Sequence, residues 1–361
     1  MSSIQFHKLS ICDVRQQTER GVSLVFTVPE SLLEHYRFIA GQYLTLRADI
    51  DGQDVRRSYS ICSSVADVKQ LEVGVKQVDG GLFSNYAKTL KVGDSVDVMP
   101  PQGRFTAPIG NRQDRHDYLL IAAGSGITPC LSIIRSVLAE EPESTLSLVY
   151  GNRSSNTIMF RDEIGALKDR YLNRFVVNHV MSRERQDVAF LNGRIDAEKI
   201  ETMVEAGVVH TSNCDGIYIC GPSDMTESVA AALKKSGVAS EIIHTELFFV
   251  DGAPRRKPSS EAIELPQVGC QVTIIMDGVE NKIQVDGNKD TVLQAAIAAG
   301  LDMPFSCAGG MCCTCRCKIA DGQAQMDVNY SLADWEIEAG FTLACQSRPL
   351  TDTLVLDFDA T

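Results

Sequence analysis

Five of the chain's twelve cysteines fall within eleven residues, from Cys307 to Cys317. Nothing else restricts the local fold so tightly, because thiols at that density must converge on something. The spacing is Cys307-x4-Cys312-x2-Cys315, with Cys345 after 29 further residues. That is the plant-type arrangement for four thiolates on two irons of a [2Fe–2S] cluster. Gly309 and Gly310 let the loop wrap closely and turn its N–H groups toward the sulfurs. A four-cysteine zinc site competes, but it usually pairs two C-x2-C knuckles and this chain has one. The six histidines lie away from the run, against Cys/His zinc or Rieske ligation. Cys313 and Cys317 fall outside the ligand register. Cys313 reads as a loop thiol beside the cluster, and Cys317 as a core residue of the following strand. Cys12, Cys62, Cys130, Cys214 and Cys270 read as small buried hydrophobes.

The remaining chain divides into segments of different rhythm. Over the first hundred residues Val22, Leu24, Phe26 and Val28 alternate, and Tyr43–Leu46 and Leu71–Val75 look like further short strands. Gly41, Gly52, Gly74, Gly80, Gly81 and Gly93 punctuate them as in a small antiparallel barrel. After Pro108 strands alternate with helices. Strands are expected at Tyr118–Ala123, Leu146–Tyr150, Phe175–Val180, Ile217–Cys220 and Ile242–Phe248, and helices at Pro129–Glu140, Phe160–Asp169 and Pro222–Lys235. That order implies a parallel, doubly wound sheet. Val250–Gln267 is rich in Pro, Ser and charge and reads as a linker. Beyond it, two strand patterns flank the hairpin signal Asp277-Gly278, and Asp290 is placed to cap a helix over Thr291–Ala299, with Gly300 just past its end. The expected divisions are 1–108, 114–249, the linker 250–267, and 268–361.

Charge and composition exclude several classes. The formal net charge of −13 has the wrong sign for a nucleic-acid binder. From Val268 onward there are 13 acidic and 5 basic side chains, enough to steer the segment toward a basic partner or merely to keep it in solution. Charged residues at 22% and hydrophobic residues at 44% are ordinary for a folded chain. No apolar run approaches the ~18–20 residues of a membrane-spanning helix, and the opening residues lack a secretory apolar core, so a cytoplasmic protein is expected.

Three further motifs carry chemistry. Gly124-Ser125-Gly126-Ile127-Thr128-Pro129 lies between a strand and a helix, where glycines allow close backbone approach and the helix N-terminus attracts a dinucleotide pyrophosphate. Cys220-Gly221-Pro222 ends a later strand, and both turns sit where open α/β sheets bind ligands. Arg57-Ser58-Tyr59-Ser60 ends a barrel strand, and Gly80-Gly81-Leu82-Phe83-Ser84 follows the next. There an Arg can clamp phosphate, a Tyr ring can stack on a planar cofactor, and a Gly-Gly turn can receive pyrophosphate. Taken singly, each also fits an ordinary turn, a surface Arg or a core Tyr.

In this order the motifs resemble the ferredoxin–NADP reductase-like family with a fused plant-type ferredoxin, over essentially the whole chain. RRSYSIC, AAGSGITP, YGNRSSNTIMFRDEI, CAGGMCCTCRCKI and LACQSRPLTDTLVLDFDA are similar, more narrowly, to reductases of the phenylacetyl-CoA epoxidase (ring 1,2-epoxidase) group. The resemblance implies a flavin β-barrel, a doubly wound α/β nicotinamide domain and an α+β (β-grasp) [2Fe–2S] domain. It implies FAD rather than FMN, held by Arg57, Ser58, Tyr59, Ser60, Val75, Lys76, Gly81, Leu82, Phe83 and Ser84. Gly124, Ser125, Gly126, Ile127, Thr128, Cys220, Gly221 and Pro222 would place the nicotinamide, with Phe248 near the ring stack. Ser60, Cys220 and Glu246 would surround the reacting atoms. Ser182-Arg183, with Arg153, resembles a contact for an adenosine 2′-phosphate, which favours NADPH over NADH. Cys307 and Cys312 would bind one iron, Cys315 and Cys345 the other. The implied partner is a di-iron oxygenase component docked through the acidic ferredoxin domain. A reductase for another oxygenase, such as a steroid or aromatic hydroxylase, stands as the alternative, and a zinc-stabilised redox sensor as a remote one.

Overall fold

The structure, a computed structural model, describes residues 5–109, 115–248 and 269–360. The linker expected at 250–267 lies outside them. Two compact units emerge, one built mainly from residues 6–248 and the other from residues 269–360.

The first unit opens with six antiparallel strands: β1 (His7–Thr18), β2 (Gly21–Thr27), β3 (Tyr43–Ile50), β4 (Gln53–Ser60), β5 (Gln70–Lys76) and β6 (Ser95–Val98). Their order is β4-β3-β6-β1-β2-β5. The Ile61–Val73 bridge and the Cys62 N–H to Glu72 C=O bond (2.7 Å) close the sheet into a barrel. Leu24, Phe26, Leu44, Leu46 and Val73 fill it and are fully buried, each worth ~1.5–3 kcal/mol. A short helix, α1 (Leu82–Ala87), follows β5.

The alternating segment forms β7 (Asp117–Ala123), α2 (Ile127–Glu140), β8 (Thr145–Asn152), α3 (Arg161–Arg170), β9 (Phe175–Met181), α4 (Ala197–Glu205), β10 (Gly216–Gly221), α5 (Ser223–Lys235) and β11 (Ile243–Leu247). The sheet is parallel, in the order β11-β10-β7-β8-β9. Strand β7 is apolar from Leu119 to Ala123 because both its faces are covered. Leu120 and Ala122 pack with α2 residues such as Ile127 and Leu131, while Leu119 and Ile121 pack with Ile200 and Met203 of α4 and Val229 of α5. Helix α4 was not expected. Its signals are the Asp196 cap, whose carboxylate accepts the Lys199 N–H at 2.9 Å, and the Ile200/Met203 spacing.

The barrel and the sheet meet tightly. A Cβ on Gly74 of β5 would lie 2.7 Å from the Thr128 methyl and 3.0 Å from the Phe160 ring. Phe160 is fully buried with φ +57°, a strained backbone for a bulky residue, and its N–H is held by Gln17 of β1 at 2.9 Å.

The second unit has β12 (Cys270–Met276), β13 (Val279–Val285), α6 (Val292–Ala298), β14 (Arg316–Asp321), β15 (Ala324–Met326), α7 (Asp334–Glu338), β16 (Phe341–Leu343), β17 (Ser347–Pro349) and β18 (Thr353–Asp357). The main sheet is ordered β13-β12-β18-β14-β16, with Val292, Leu293 and Ala296 of α6 in its core. Asp277 and Gly278 both have positive φ, the hairpin turn expected there, and the Asp359 carboxylate accepts both their N–H groups at 2.8 Å. The cap of α6 is Thr291, not Asp290. Thr291 and Gln294 bond each other's backbone N–H in a capping box, which places the cap one residue later. Cys12 and Cys214 also depart from expectation. Both are half-buried, with their thiols on the Val25 and His210 carbonyls, whereas Cys62, Cys130 and Cys270 are buried.

Candidate cofactor sites

In the doubly wound sheet the connections leave β7 and β10 in opposite directions, so the crevice beyond their carboxyl ends is the natural ligand position. Both expected turns lie there. Gly126 touches the second turn so closely that a Cβ would sit 2.1 Å from the Cys220 carbonyl oxygen. Gly124 has φ +57°, and the Tyr150 hydroxyl donates to its carbonyl at 2.9 Å. Thr128 spends its hydroxyl on the Ser125 carbonyl at 3.0 Å, so it braces the turn. Phe248 donates its N–H to the Gly221 carbonyl at 3.3 Å.

Three residues far apart in sequence meet at one carboxyl. The Ser60 hydroxyl, from the end of β4, donates to Glu246 Oε2 at 3.5 Å, and the Cys220 thiol lies 4.0 Å from the same oxygen. Burial pushes the Glu246 carboxyl up to about 8 from its ordinary 4.5, against the Ser60 bond, which favours the ionised form. It also keeps the Cys220 thiol protonated, well above its usual range. The set therefore holds protons at neutral pH rather than charges. Between pH 4.5 and 8 the folded protein binds a proton there that the unfolded chain has released, so stability falls as pH rises through that window. Glu246→Gln is expected to flatten the thermal midpoint between pH 6 and 9; a decline as steep as in the parent would locate the titrating group elsewhere.

Other barrel residues take varied positions. Tyr59 is half-buried, its ring 5.5 Å from Phe83. Phe83 itself is buried in the barrel core, and Val75 is buried too, so their side chains belong to packing. Ser84 uses its hydroxyl inside its own turn, on Val78 N–H (3.1 Å) and Gly81 C=O (3.3 Å). Leu82 is exposed, and a cavity of about 340 Å³ opens beside Gly80, Gly81 and Leu82. Arg57 donates to the Arg56 carbonyl at 2.8 Å. Lys76 points to the dinucleotide turn: its ammonium would be 3.2 Å from a Cβ on Gly124, and burial, with Arg153 and Arg20 nearby, lowers its pKa. A positive group against a glycine cradle suits an anionic phosphate. Arg153 and Arg183 stand on adjacent loops joined by the Arg183 N–H to Arg153 C=O bond (2.8 Å). Glu184 accepts Ser155 N–H at 2.7 Å and its hydroxyl at 2.9 Å.

In the second unit the four thiols form two pairs. Cys307 bonds Cys312, and Cys315 bonds Cys345, so in each pair one thiol's pKa is held down and the other's pushed up. Gly309 N–H donates to Cys307 Sγ (3.3 Å), Cys307 N–H to Cys312 Sγ (3.5 Å), and the Gln346 amide to Cys345 Sγ (3.5 Å). Among the described residues no three His, Cys, Asp or Glu side chains converge on a single-ion site. Two thiol pairs fit the two irons of a [2Fe–2S] cluster. Cys313 is half-buried at φ +55°, and Cys317 is buried on β14 with its thiol 3.9 Å from the Thr342 carbonyl.

Comparison with known proteins assigns a domain family to each of these segments. Residues 16–107 match the oxidoreductase FAD-binding domain, 120–231 the oxidoreductase NAD-binding domain, and 274–350 the 2Fe-2S iron-sulfur cluster binding domain. The chain is 42% identical to one of the 1,2-phenylacetyl-CoA epoxidase subunits of Escherichia coli (strain K12) over 357 residues, 98% of each chain. It belongs to the ferredoxin-reductase-like flavoproteins with a fused plant-type ferredoxin domain. The reductase is also 32% identical to the ferredoxin reductase component of 3-ketosteroid-9-alpha-monooxygenase from Rhodococcus rhodochrous, over 97% of this chain and 96% of that one. Its fold resembles phthalate dioxygenase reductase, described as a modular structure for electron transfer from pyridine nucleotides to [2Fe-2S] (TM-score 0.60, 24% identity, 98% of each chain). The reductase is thus an oxidoreductase component that takes FAD, a nicotinamide nucleotide and a 2Fe-2S cluster. No helix among the described residues is long and apolar enough to cross a membrane.

Proposed function

We propose that the reductase passes electrons from NADPH through FAD and the [2Fe–2S] cluster to the di-iron oxygenase of a phenylacetyl-CoA epoxidase. The observation that carries this is 42% identity to a component of that enzyme along both full chains. The steroid 9α-monooxygenase reductase, at 32%, marks the alternative acceptor. When bound, the flavin takes up a hydride's two electrons and the cluster relays them singly.

The chain's own residues orient and insulate that exchange. Gly126 packs against the Cys220–Gly221 backbone so closely that no side chain fits, which fixes the two turns beside which the nicotinamide would lie. Ser60, Cys220 and Glu246 keep their protons and offer hydrogen bonds where a full negative charge would oppose an incoming hydride. Lys76 stands where it would face a phosphate of a dinucleotide held at the Gly124 turn, and Arg183 with Arg153 would meet an adenosine 2′-phosphate. Cys307 with Cys312, and Cys315 with Cys345, would hold one iron each.

Arg183→Ala is expected to raise the KM for NADPH about tenfold or more, the scale of one charge-assisted contact, and to leave that for NADH nearly unchanged. Equal effects on both would withdraw the 2′-phosphate contact. The functional reading is tested by NADPH oxidation with purified phenylacetyl-CoA epoxidase oxygenase, with and without phenylacetyl-CoA. Substrate-dependent consumption with matching epoxide supports it; turnover with artificial acceptors alone removes this partner.

A further inference from the structure

Helix α7 consists of Asp334-Trp335-Glu336-Ile337-Glu338 and buries only its central acid. Glu336 accepts Arg316 Nε at 2.9 Å and the Ala333 N–H at 3.1 Å, and the Arg316 guanidinium lies 3.5 Å over the Phe341 ring. This clamp leaves the apolar side chains outside: Trp335 is 61% exposed and Ile337 43%. Asp334 and Glu338, also exposed, stand beside them. The chain's one tryptophan is thus displayed in the most acidic part of the sequence.

The segment is tied to the cysteine loop. Tyr330 N–H and the Ser331 hydroxyl donate to the Gly310 carbonyl at 3.1 and 3.2 Å, and Arg316, which grips Glu336, follows Cys315 directly. Whatever covers α7 is held next to the thiols.

We propose that Trp335 and Ile337 are the apolar anchor on which the electron-accepting oxygenase docks, through an apolar pocket rimmed by Lys and Arg. The proposal rests on the reductase reading above. Exposed aromatic anchors carry a disproportionate share of binding energy, and an apolar patch rimmed by charge marks a protein interface. The 13 acidic side chains against 5 basic ones from Val268 onward commit the occupant to a basic surface and oppose a second copy of the same face. The acids set the rate of encounter, and the indole sets how long the complex lasts.

The experiment uses the holo-reductase carrying fluorotryptophan and purified phenylacetyl-CoA epoxidase oxygenase as the probe. The lone fluorine resonance shifts or broadens on mixing. Trp335→Ala weakens binding about 10–30-fold, chiefly through faster dissociation, with the cluster spectrum and NADPH–ferricyanide turnover unchanged, and Trp335→Phe restores much of the loss. Asp334→Asn with Glu338→Gln slows association and flattens its salt dependence. An unmoved resonance, or equal affinity for Trp335→Ala, overturns the proposal while leaving the reductase reading intact. Absence of any wild-type binding overturns both the anchor and its acceptor. Self-association through α7, or slower flavin-to-cluster transfer in Trp335→Ala, assigns the face to another contact and also overturns it.

Discussion

Cys345→Ser is expected to abolish the iron–sulfur absorption and bring reduction of the oxygenase to background, while NADPH–ferricyanide turnover stays within a few-fold of the parent. The thiol lies 30 residues beyond Cys315 yet pairs with it in the fold, and its sulfur also accepts the Gln346 amide. Removing it leaves one pair intact and the other broken. Because metal binding and folding are coupled, the C-terminal unit should also lose thermal stability, whereas the first unit should not. Cys313→Ser and Cys317→Ser, placed outside the two pairs, keep the absorption. Loss of the iron–sulfur absorption in Cys313→Ser with retention in Cys345→Ser would reverse the ligand assignment. Iron content and the visible spectrum decide it.

The second large effect is expected at Gly126. Its backbone is ordinary, φ −61°, so the constraint is space: an added Cβ would meet the Cys220 carbonyl at 2.1 Å and the Gly221 nitrogen at 2.9 Å. Both neighbours are backbone of a buried strand end and cannot swing aside. Gly126→Ala should cost about 1–3 kcal/mol in stability. It should also slow hydride transfer at saturating NADPH on the order of 10²-fold, because it pushes Cys220 off its place beside Glu246. Gly165→Ala, in α3 with nothing within 4 Å of the new methyl, serves as the control and should leave the rate unchanged. Stopped-flow reduction with parent-like rates in Gly126→Ala would show that the two turns yield easily.

The parts of the fold that could be read from sequence are those where a local pattern and its tertiary setting coincide. Tyr118–Ala123 reads as a buried strand because both its faces are covered, and Asp277-Gly278 reads as a hairpin because only such residues take its positive φ comfortably. The spacing of Cys307, Cys312 and Cys315 is legible for a related reason, since the three share one loop, whereas Cys345 reaches them only through the fold. Elsewhere local signals competed. Asp290 and Thr291 are both good caps, and Gln294 decides between them by reaching back to Thr291. Phe83 sits in a Gly-Gly motif that suggests a ligand, yet its ring belongs to the barrel core, since a motif says nothing of which way a side chain turns. The meeting of Ser60, Cys220 and Glu246 has no local signature at all. Ser60 and Glu246 are 186 residues apart, and only closure of the barrel against the parallel sheet brings them to one carboxyl.

Strand β18 lies in the middle of its sheet, between β12 and β14, although it is the last strand in chain order. All four paired cysteines are translated before residues 353–357 exist. On the ribosome the thiol loop therefore emerges ahead of the strand that joins its two supporting halves, and the domain cannot be completed in the order in which it is made. Delivery of iron and sulfide has to wait for that strand or meet a half-built loop, so the pool of cluster-free protein in a cell should rise when cluster assembly lags behind synthesis. The same chain order makes any shortening that removes β18 a lesion of cluster retention first and of flavin binding last.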